Sequence, residues 1–413
     1  LALRLNGQVQ TMKDDRPGSR DPLLNYKVPA GVKQMEVSVS DLYGRGGSHF
    51  LYRLQVVPAG RPNFSLRLTT STLNLPADGT AVARLELNRA GYNGAVKLQT
   101  LGVDGVTITP QSLPAGGAKQ TLLATLHCSR KVSAAELMQL RIVGESVGLP
   151  TPIRRFAVLA AVPGQAVIPG FEDALPVAVT KPNGLNVSVK QTPASLLKSI
   201  TGQIGVEVAR GANSPNLPIR LTLVSTEATR RIDPKNAGKG NKPKVRSLPD
   251  QIIPSGTAAG LLKVAVPTDV AMPSIEFVIR ADVLPHAYSQ RVLATAYSNP
   301  FRLPVQNAVS ATIEPKTLNL FGETANKVTG TIKRVAAFKS PVVVSLSGLR
   351  KGFTAAKVTV PPGQTKFEIV VTAPKENEKR PLPRVTFNVT DAAGRALLPG
   401  RVVPVTVAPK PKK

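Results

Sequence analysis

Short apolar runs, repeatedly interrupted by turn-forming residues, constrain this chain more than any other feature. Valine, leucine, threonine and alanine alternate with polar residues over a few positions, and Pro, Gly, Asn or Asp then ends each run. With 37 Pro and 33 Gly in 413 residues, few stretches are long and amphipathic. Such a pattern is typical of β-strands between turns, and the length is enough for several domains. The sequence therefore predicts an all-β fold with several small cores.

One pattern occurs three times along the chain. A strand is followed by a loop, an apolar strand pair, a Pro-Gly turn and another strand. The first and last copies share Thr72–Leu75 and Thr317–Leu320, which are identical, and place Tyr92 and Phe338 at corresponding positions. A divergent middle copy begins at Thr201. A repeat of about 100 residues has the size of one immunoglobulin-like sandwich.

A different pattern precedes the repeats. It contains an acidic turn at Lys13–Asp15, a "DP.L" stretch from Asp21 to Asp41, and a "GRGG" loop with an alternating ending from Gly44 to Val56. These features resemble the second half of a bacterial pre-peptidase C-terminal (PPC) domain. The family's N-terminal strands have no counterpart here, and half a sandwich cannot bury its own core. Either another chain completes this segment, or the preceding residues lie outside the sequence.

The segments after residue 62 resemble the immunoglobulin-like repeats that follow PPC domains in large secreted bacterial proteins, on the stretches "PNFSLRL" and "LPAGG". The resemblance implies a non-catalytic, extracytoplasmic array of β-sandwiches from a bacterial surface. The sequence begins at Leu1, without a methionine or signal peptide, so we expect a processed or partial piece of a longer protein.

The fold class predicted is a tandem array of immunoglobulin-like and PPC-like β-sandwich domains. In chain order, we predict a PPC-like C-terminal half at 1–58, a sandwich at 62–162, a sandwich at 165–304 with a basic insert at 229–247, a sandwich at 307–409, and a basic tail at 410–413. The joints at Val57–Pro62, Ala161–Gly170 and Arg302–Ser310 are short and contain proline, which favours a semi-rigid rod.

Two local segments allow more than one interpretation. Gly44, Gly46 and Gly47 are expected to turn a corner by taking positive φ, because "SHFLYRLQV" after them alternates like a strand. A phosphate-binding loop would instead open a helix. The other segment starts at Ser133 and contains a Ser-x-x-Glu capping pattern, from which we predict a short helical turn followed by a strand.

No residue pattern predicts catalysis, so we expect that the chain is not an enzyme. His49, His127 and His286 lie in three different predicted domains, without a neighbour at metal-ligand spacing. Asp14 and Asp15 are expected to form a turn, with a calcium site as the weaker alternative. Cys128 is the only cysteine and is expected in a core. No apolar run is long enough for a transmembrane helix.

The chain is strongly basic, with a net charge of +28, which attracts polyanions. The densest basic stretch lies at 229–247 and predicts an extended loop that binds an anionic polymer or an acidic partner, or is only solvated. Its candidate binding residues are Arg230, Arg231, Lys235, Lys239, Lys242, Lys244 and Arg246. The stretch contains no aromatic residue for base stacking, which argues against a dedicated nucleic-acid site.

Three hypotheses follow. The leading one is a structural or adhesive surface protein, part of a layer, filament or larger exported polypeptide, with protein neighbours as partners. The second is a charge-driven module for acidic polysaccharide or another polyanion. The third is an accessory region of a secreted hydrolase such as a protease. No cofactor is expected beyond the calcium alternative.

Overall fold

The structure is a computed structural model that describes residues 1–15, 21–52, 54, 56, 62–131, 135–160, 172–211, 216–226, 246–247, 250–270, 272–321, 325–349, 352–372 and 385–408. Throughout these ranges the regular elements are strands, which confirms the predicted all-β class. The chain divides into two compact units, Leu1–Asn63 and Phe64–Lys413, called unit 1 and unit 2. Within the described ranges, no helix has the length and apolar character needed to span a membrane.

Unit 1 contains a three-stranded antiparallel sheet in the order β2-β1-β3. Its strands are β1 (Ala2–Leu5), β2 (Gln8–Met12) and β3 (Glu36–Ser38). A two-residue turn joins β1 to β2, with φ of 48° at Asn6 and 78° at Gly7. Two successive positive φ values match the twist of a tight hairpin, which explains the Asn-Gly pair.

Unit 2 begins with a sandwich that we call the first sandwich. Its strands are β4 (Asn63–Leu68), β5 (Leu73–Pro76), β6 (Gly79–Ala90), β7 (Val96–Leu101), β8 (Val106–Thr109), β9 (Ser112–Leu113), β10 (Lys119–Cys128), β11 (Glu136–Ser146), β12 (Arg154–Leu159) and β13 (Leu175–Thr180). The first half of β12 pairs with β11 and its second half runs parallel to β4, so β12 links the strands of both layers. Inward-facing Phe, Leu, Val and Ala side chains from these strands form one core.

The second sandwich has two sheets, in the orders β14-β16-β20-β18 and β15-β23-β21-β17-β19, with β22 paired to β21. Its strands are β14 (Leu185–Gln191), β15 (Leu196–Leu197), β16 (Thr201–Arg210), β17 (Ile219–Ser225), β18 (Arg246–Ser247), β19 (Gln251–Ile253), β20 (Ala259–Ala265), β21 (Ser274–Val283), β22 (Ala294–Tyr297) and β23 (Phe301–Gln306). A separate core, which includes the buried Phe277, lies between these sheets.

The third sandwich has sheets in the orders β24-β26-β30-β28 and β29-β27-β31-β32, and a parallel pair β25-β33. Its strands are β24 (Val309–Glu314), β25 (Leu318–Phe321), β26 (Ala325–Arg334), β27 (Val342–Ser347), β28 (Thr354–Ala355), β29 (Val358–Val360), β30 (Lys366–Thr372), β31 (Val385–Asp391), β32 (Arg401–Val403) and β33 (Val405–Ala408). A third core fills its interior. Gly330 is required there, because a Cβ atom would clash with the Thr312 carbonyl and the Phe367 ring.

The first and third sandwiches confirm the repeat seen in the sequence. The "LNL" strands β5 and β25 each pair in parallel with a strand near the end of their sandwich, β13 and β33 respectively. Tyr92 and Phe338, which follow the long strands β6 and β26, are both buried. The corresponding sequence positions therefore have corresponding places in the two cores.

The domain boundaries remain predictions. The joint predicted at 161–170 lies outside the described residues, and β13, which follows it, pairs with β11 and β5 of the first sandwich. The second and third sandwiches share a short segment, because Leu196 contributes to the second core and Leu197 to the third. Two adjacent residues of β15 therefore contribute to two different cores.

Ser133 and Ala134, where the predicted helical turn begins, lie outside the described residues. At Glu136 the helical turn is wrong, because this residue begins a strand, and the strand predicted after it is confirmed. Glu136 and the two residues after it belong to β11 and pair with Val179, Ala178 and Val177 of β13. The carboxylate of Glu136 forms an ion pair with Arg130 rather than capping a helix. Tertiary strand pairing overrides the local capping pattern here.

The glycine corner is partly confirmed. Gly44 and Gly47 have φ of 70° and 129°, which an L-residue rarely adopts, and turns form at both positions. The positive φ expected at Gly46 is wrong, because this residue does not have the left-handed conformation. The strand expected after these glycines is not seen, because residues 48–52, 54 and 56 belong to no strand of the described chain. The side chains of Leu51 and Tyr52 are 91% and 73% exposed.

Candidate functional site

The basic insert predicted as a polyanion site lies almost wholly outside the described residues. This applies to Arg230, Arg231, Lys235, Lys239, Lys242 and Lys244, and to the basic tail at 410–413. Arg246 is described as part of β18, where it pairs with Ala265 of β20. The insert therefore rejoins the second sandwich as an edge strand.

The described residues that precede the insert are held by the neighbouring sandwich. Arg84 in β6 donates hydrogen bonds to the carbonyl oxygens of Ser225 and Thr226, at 2.7 Å and 3.0 Å. Ser225 ends β17, and the described chain stops at Thr226, just before the insert. Arg84 of the first sandwich thus holds the end of β17, the last described part of the second sandwich before the basic insert.

The contact that contains Arg84 is a buried joint between the first and second sandwiches. In β10, residues 122–126 are all buried, and in β21, residues 275–279 are all buried. Successive side chains of a strand point to opposite faces, so five consecutive buried residues need cover on both faces. One face of each strand packs on its own core, and the other lies in the joint.

Hydrogen bonds across this joint join specific groups. Thr80 Oγ1 exchanges hydrogen bonds with the backbone of Tyr297, accepting from N–H and donating to C=O at 2.8 Å each. Thr125 Oγ1 donates to the Ser298 carbonyl at 2.8 Å. Burial raises the pKa of the Tyr297 phenol above its ordinary value. The hydrogen bonds of Thr80 and Thr125 satisfy polar groups that would otherwise be costly to bury.

Glu276 makes the most distinctive contact of the joint. Its Oε1 accepts a hydrogen bond from the backbone N–H of Leu123 at 2.7 Å, and its Oε2 accepts one from Arg302 at 3.1 Å. Glu276 is 9% exposed. Strand β8 pairs with β10 only from Thr125 onward, so the carboxylate of one sandwich occupies the free edge of a strand in the other.

A second buried carboxylate lies in the same sheet. Asp282 is hydrogen-bonded by Arg220, Arg280 and the Thr295 hydroxyl, at 3.2 Å, 2.8 Å and 2.7 Å. A buried carboxylate is tolerated when it is paired and hydrogen-bonded, as here. The hydrogen bonds thus give this buried carboxylate a structural role.

Each sandwich also contains an arginine near the end of its long strand that donates hydrogen bonds to other segments. The sequence analysis did not identify these arginines as functional residues. Arg89 donates to the carbonyls of Gly94 and Pro114. Arg210 donates to those of Thr257 and Leu217. Burial lowers the pKa of both guanidinium groups below the ordinary value.

Arg334 repeats this arrangement in the third sandwich. It donates to the carbonyls of Ser340, Val360, Pro361 and Gln364, and burial lowers its pKa as well. All three arginines stand at or next to the last residue of a long strand and reach the Pro-Gly turn of their own repeat. An arginine at the same position of each repeat was visible in the sequence and is the signal that was missed.

Unit 1 carries an exposed loop with an ordered start. Arg45 forms two hydrogen bonds to the Asp41 carboxylate, both 3.0 Å, and its guanidinium lies over the rings of Tyr43 and Phe50 at 5.1 Å and 5.7 Å. The side-chain hydrogen bonds from Arg45 are the main cause that lowers the pKa of Asp41 to about 2. The loop thus holds a defined shape while presenting aromatic rings.

The residues considered for metal binding or catalysis are not brought together. Among the described residues, no group of three or more His, Cys, Asp or Glu side chains could hold a metal ion. Asp14 accepts a hydrogen bond from the backbone N–H of Asp15, and the chain bends at this position. Cys128 is buried in the first core, as predicted.

No family model matches the chain, and no curated protein matches it. An endo-fucoidan hydrolase of glycoside hydrolase family 107 is similar at 11% identity over 85% of this chain and 44% of that one, with a TM-score of 0.20. The D00-D0 domain of intimin is 10% identical over 58% of this chain and 99% of that one, with a TM-score of 0.18.

Domains 4–9 of the surface layer protein SbsC are 10% identical over 84% of this chain and 66% of that one, with a TM-score of 0.23. The chain spans less than half the length of the fucoidan hydrolase. At these values the likenesses extend no further than a β-rich architecture.

Proposed function

We propose that the chain is a structural or adhesive component of a bacterial cell surface, and that it performs no reaction of its own. The observation that carries the proposal is the way unit 2 is built. Three separate cores are in direct contact within the described chain. The buried joint around Glu276 connects the first two, and the adjacent residues Leu196 and Leu197 connect the last two. Such linked sandwiches suit a protein whose task is to hold a fixed geometry.

The proposed location is extracytoplasmic, on the basis of the resemblance of unit 1 to part of a PPC domain. We propose further that unit 1 is the C-terminal half of a PPC-like domain. Protein neighbours are the expected partners, because unit 1 exposes many large apolar side chains, including Met12, Leu42 and Leu51. Large exposed apolar patches on a protein usually mark an interaction site.

The test is extraction of the native protein from the envelope fraction of the cells that make it. We expect urea to release the protein and about 1 M salt, where the Debye length is about 3 Å, to leave it bound. Surface labelling of intact cells should reach lysines of unit 2. Recovery in the cytoplasmic fraction, with no labelling before the cells are broken, would overturn the proposal.

A second candidate function is binding of an acidic polysaccharide through the basic insert. Two contacts favour it: Arg84 holds Ser225 and Thr226, which precede the insert, and Arg246, near the end of the insert, pairs with β20. Retention on immobilised dextran sulfate should then fall steeply as salt rises. Replacing Lys239, Lys242 and Lys244 by Gln should reduce retention, whereas the matched replacement of Lys316, Lys333 and Lys357 by Gln should not. Equal effects of the two triple variants would refute a specific site.

A further inference from the structure

The buried joint brings one face of the first sandwich against one face of the second. The first sandwich contributes the outer face of β6 and β10, from which Arg84, Leu123 and Thr125 donate hydrogen bonds across the joint; we call it the long-strand face. The second sandwich contributes the outer face of β17 and β21, where Glu276 and the Ser225 carbonyl accept hydrogen bonds; we call it the receiving face. Because the sandwiches are repeats of one pattern, each has a counterpart of both faces.

The strand pairing identifies the receiving face of the first sandwich. In the second sandwich Phe277, which follows Glu276, pairs with the first residue of β23. In the first sandwich Leu140, which follows Gln139, pairs in the same way with the first residue of β13. Gln139 therefore holds the position of Glu276, on the outer face of β11.

The neighbouring strand β7 gives the same correspondence. In the joint, Arg84 binds the carbonyls of Ser225 and Thr226, at the end of β17. Strands β7 and β17 pair with β11 and β21 in the same register, so Gly102 and Val103 hold these two positions in the first sandwich. The first sandwich thus carries a counterpart of the surface by which the second one receives its neighbour.

On the first sandwich the receiving face is an open groove of about 1050 Å³, whose lining includes Gly102, Val103, Gln139 and Arg141. The side chains of Leu137 and Leu101 on the same face are 81% and 46% exposed. In the second sandwich the equivalent surface is covered, and Val278 there is fully buried. A large exposed apolar patch beside polar groups usually marks an interaction site.

The long-strand face of the third sandwich is uncovered too. Counted back from the arginine near the end of each long strand, Thr329 holds the position of Arg84. Their cross-strand partners are Glu368 and Leu123, which therefore correspond. In the described chain β28 pairs with β30 only after Val370, which is 41% exposed. The edge of β30 at Glu368 is therefore open, as the edge of β10 is at Leu123.

We infer that the long-strand face of the third sandwich of one copy docks into the groove on the first sandwich of a second copy. The contact repeats between copies the joint that exists within one chain. The backbone N–H of Glu368 would donate to the side-chain oxygen of Gln139, in the geometry of the Glu276 contact. The exposed side chains of Leu137 and Val370 would be removed from water, which favours association.

Charge favours the third sandwich as the occupant of the groove. Glu368, which forms an exposed pair with Lys327, would lie beside Arg141 of the groove lining. Arg141 binds Asp173 through Nε, and a guanidinium has further N–H donors for a second carboxylate. The long-strand face of the second sandwich is a poorer match, because it places Lys263 against the same arginine. Within one chain both surfaces are uncovered, so the third sandwich that fills the groove comes from a second copy.

The contact is heterologous, because the surface used on one copy differs from the surface used on the next. A heterologous contact that does not close into a ring continues as a chain of copies. The inference rests on the proposed function and deepens it, since it names the contact by which a structural array would extend.

The test uses the full chain with two double variants, each of which adds two lysines. The groove variant is Leu137→Lys with Gln139→Lys. The long-strand variant is Thr329→Lys with Val370→Lys. All four positions are exposed in the single chain, so the changes leave the three cores intact.

The control adds the same charge outside both faces, as Tyr288→Lys with Leu293→Lys at exposed positions of the second sandwich. Light scattering after size exclusion gives the mass of each species against 43.6 kDa for one chain. Each copy carries a net charge of +28, so the runs are made in about 0.5 M salt, which screens the repulsion between copies.

We expect the unaltered chain and the control to form species of several copies, and each of the other two variants to stay a single chain. Two lysines inside a contact that buries apolar side chains should weaken association by about 100-fold or more. An equal mixture of the groove variant and the long-strand variant should form particles of two chains and nothing larger, because one intact groove meets one intact long-strand face.

Three results would overturn the inference: a single-chain mass for the unaltered protein at all concentrations, association of either variant to the extent of the control, or a mixture that stays as single chains. Circular dichroism of each variant guards against loss of the fold. The envelope extraction does not depend on this contact, so failure of the docking and failure of the proposed function are separate results.

Discussion

Replacing Glu276 by Ala should loosen both sandwiches of the joint, although the residue belongs to only one of them. The change removes the acceptor for the Leu123 backbone N–H and one partner of Arg302. The Leu123 N–H is buried and would be left without its acceptor. A buried donor without a partner costs more than a hydrogen bond exchanged for water.

The size of the effect follows from these two losses. A hydrogen bond to a charged group contributes about 1.5–3 kcal/mol. The Arg302 pair adds only about 0–1 kcal/mol, because the Arg302 side chain is 42% exposed. A total of about 2–4 kcal/mol corresponds to a rise of about 30-fold to 900-fold in the population of the open form. Glu276→Gln keeps an acceptor oxygen and should lose less.

The single cysteine provides the assay. Cys128 is buried in β10 of the first sandwich, so a thiol reagent reports the opening of that sandwich alone. We expect Glu276→Ala to accelerate labelling of Cys128 by the factor given above. The control is Glu207→Ala, which removes an exposed carboxylate paired with Lys190 in the second sandwich. It should change labelling by no more than about 2-fold, because exposed pairs are weak.

Hydrogen exchange of peptides from β17 and β21 separates the two possible outcomes. If exchange in the second sandwich accelerates while Cys128 labelling stays within the range of the control, the sandwiches open independently and the reasoning is refuted. If both accelerate together, the first and second sandwiches are one cooperative body, with the carboxylate as part of the link.

Three further predictions concern single residues. Arg334→Met should lower the free energy of unfolding of the third sandwich by about 1–3 kcal/mol, because four carbonyl oxygens lose a charged donor. The change Lys333→Met, at an exposed residue, should stay within about 0.5 kcal/mol in urea denaturation. Gly330→Ala should cost about 1–3 kcal/mol through overpacking, whereas Gly117→Ala, where a Cβ meets open space, should be close to neutral by the same measurement. The Asp41 carboxylate has a lowered pKa in the folded chain, so its contribution to loop order is present above pH 3.8 and is lost as the pH falls through about 2. An NMR titration of the loop amides with a midpoint near 3.8 would contradict this last expectation.

The fold class and the repeat were predictable because strand periodicity and turn residues are local properties. The "LNL" strands at Leu73–Pro76 and Leu318–Phe321 needed only the identity of two short stretches to be matched. Glu136 shows the limit of the same reasoning. Its capping pattern is local too, but pairing with β13, about 40 residues later, decides the conformation. Propensity is a weak guide wherever a distant strand offers hydrogen bonds.

The arginines at strand ends could be predicted only by aligning all three repeats. One arginine at a strand end predicts nothing, because most arginines are exposed. Arg89, Arg210 and Arg334 at one position of three divergent repeats indicate a shared task, and the structure identifies it as satisfaction of carbonyls around a Pro-Gly turn. The strand predicted after Gly47, from Ser48 to Val56, is not formed in the described residues. An alternating pattern predicts that a segment can pair, but it does not predict that a partner strand is available.

The joint left a trace in the sequence that periodicity alone makes visible. Strand β6 alternates along most of its length, as a strand with one face in a core should, and its burial alternates in the same way. In β10 the run "LLATL" breaks that alternation, and in β21 the run "IEFVI" does so with a carboxylate inside it. An apolar run without alternation requires cover on both faces. A glutamate within such a run requires a donor as well, because an unpaired buried charge is unfavourable. The two breaks therefore predict that β10 and β21 are each covered on both faces and that Glu276 meets a donor. That the two strands cover each other is shown by the structure alone, through the Leu123 N–H bond to Glu276.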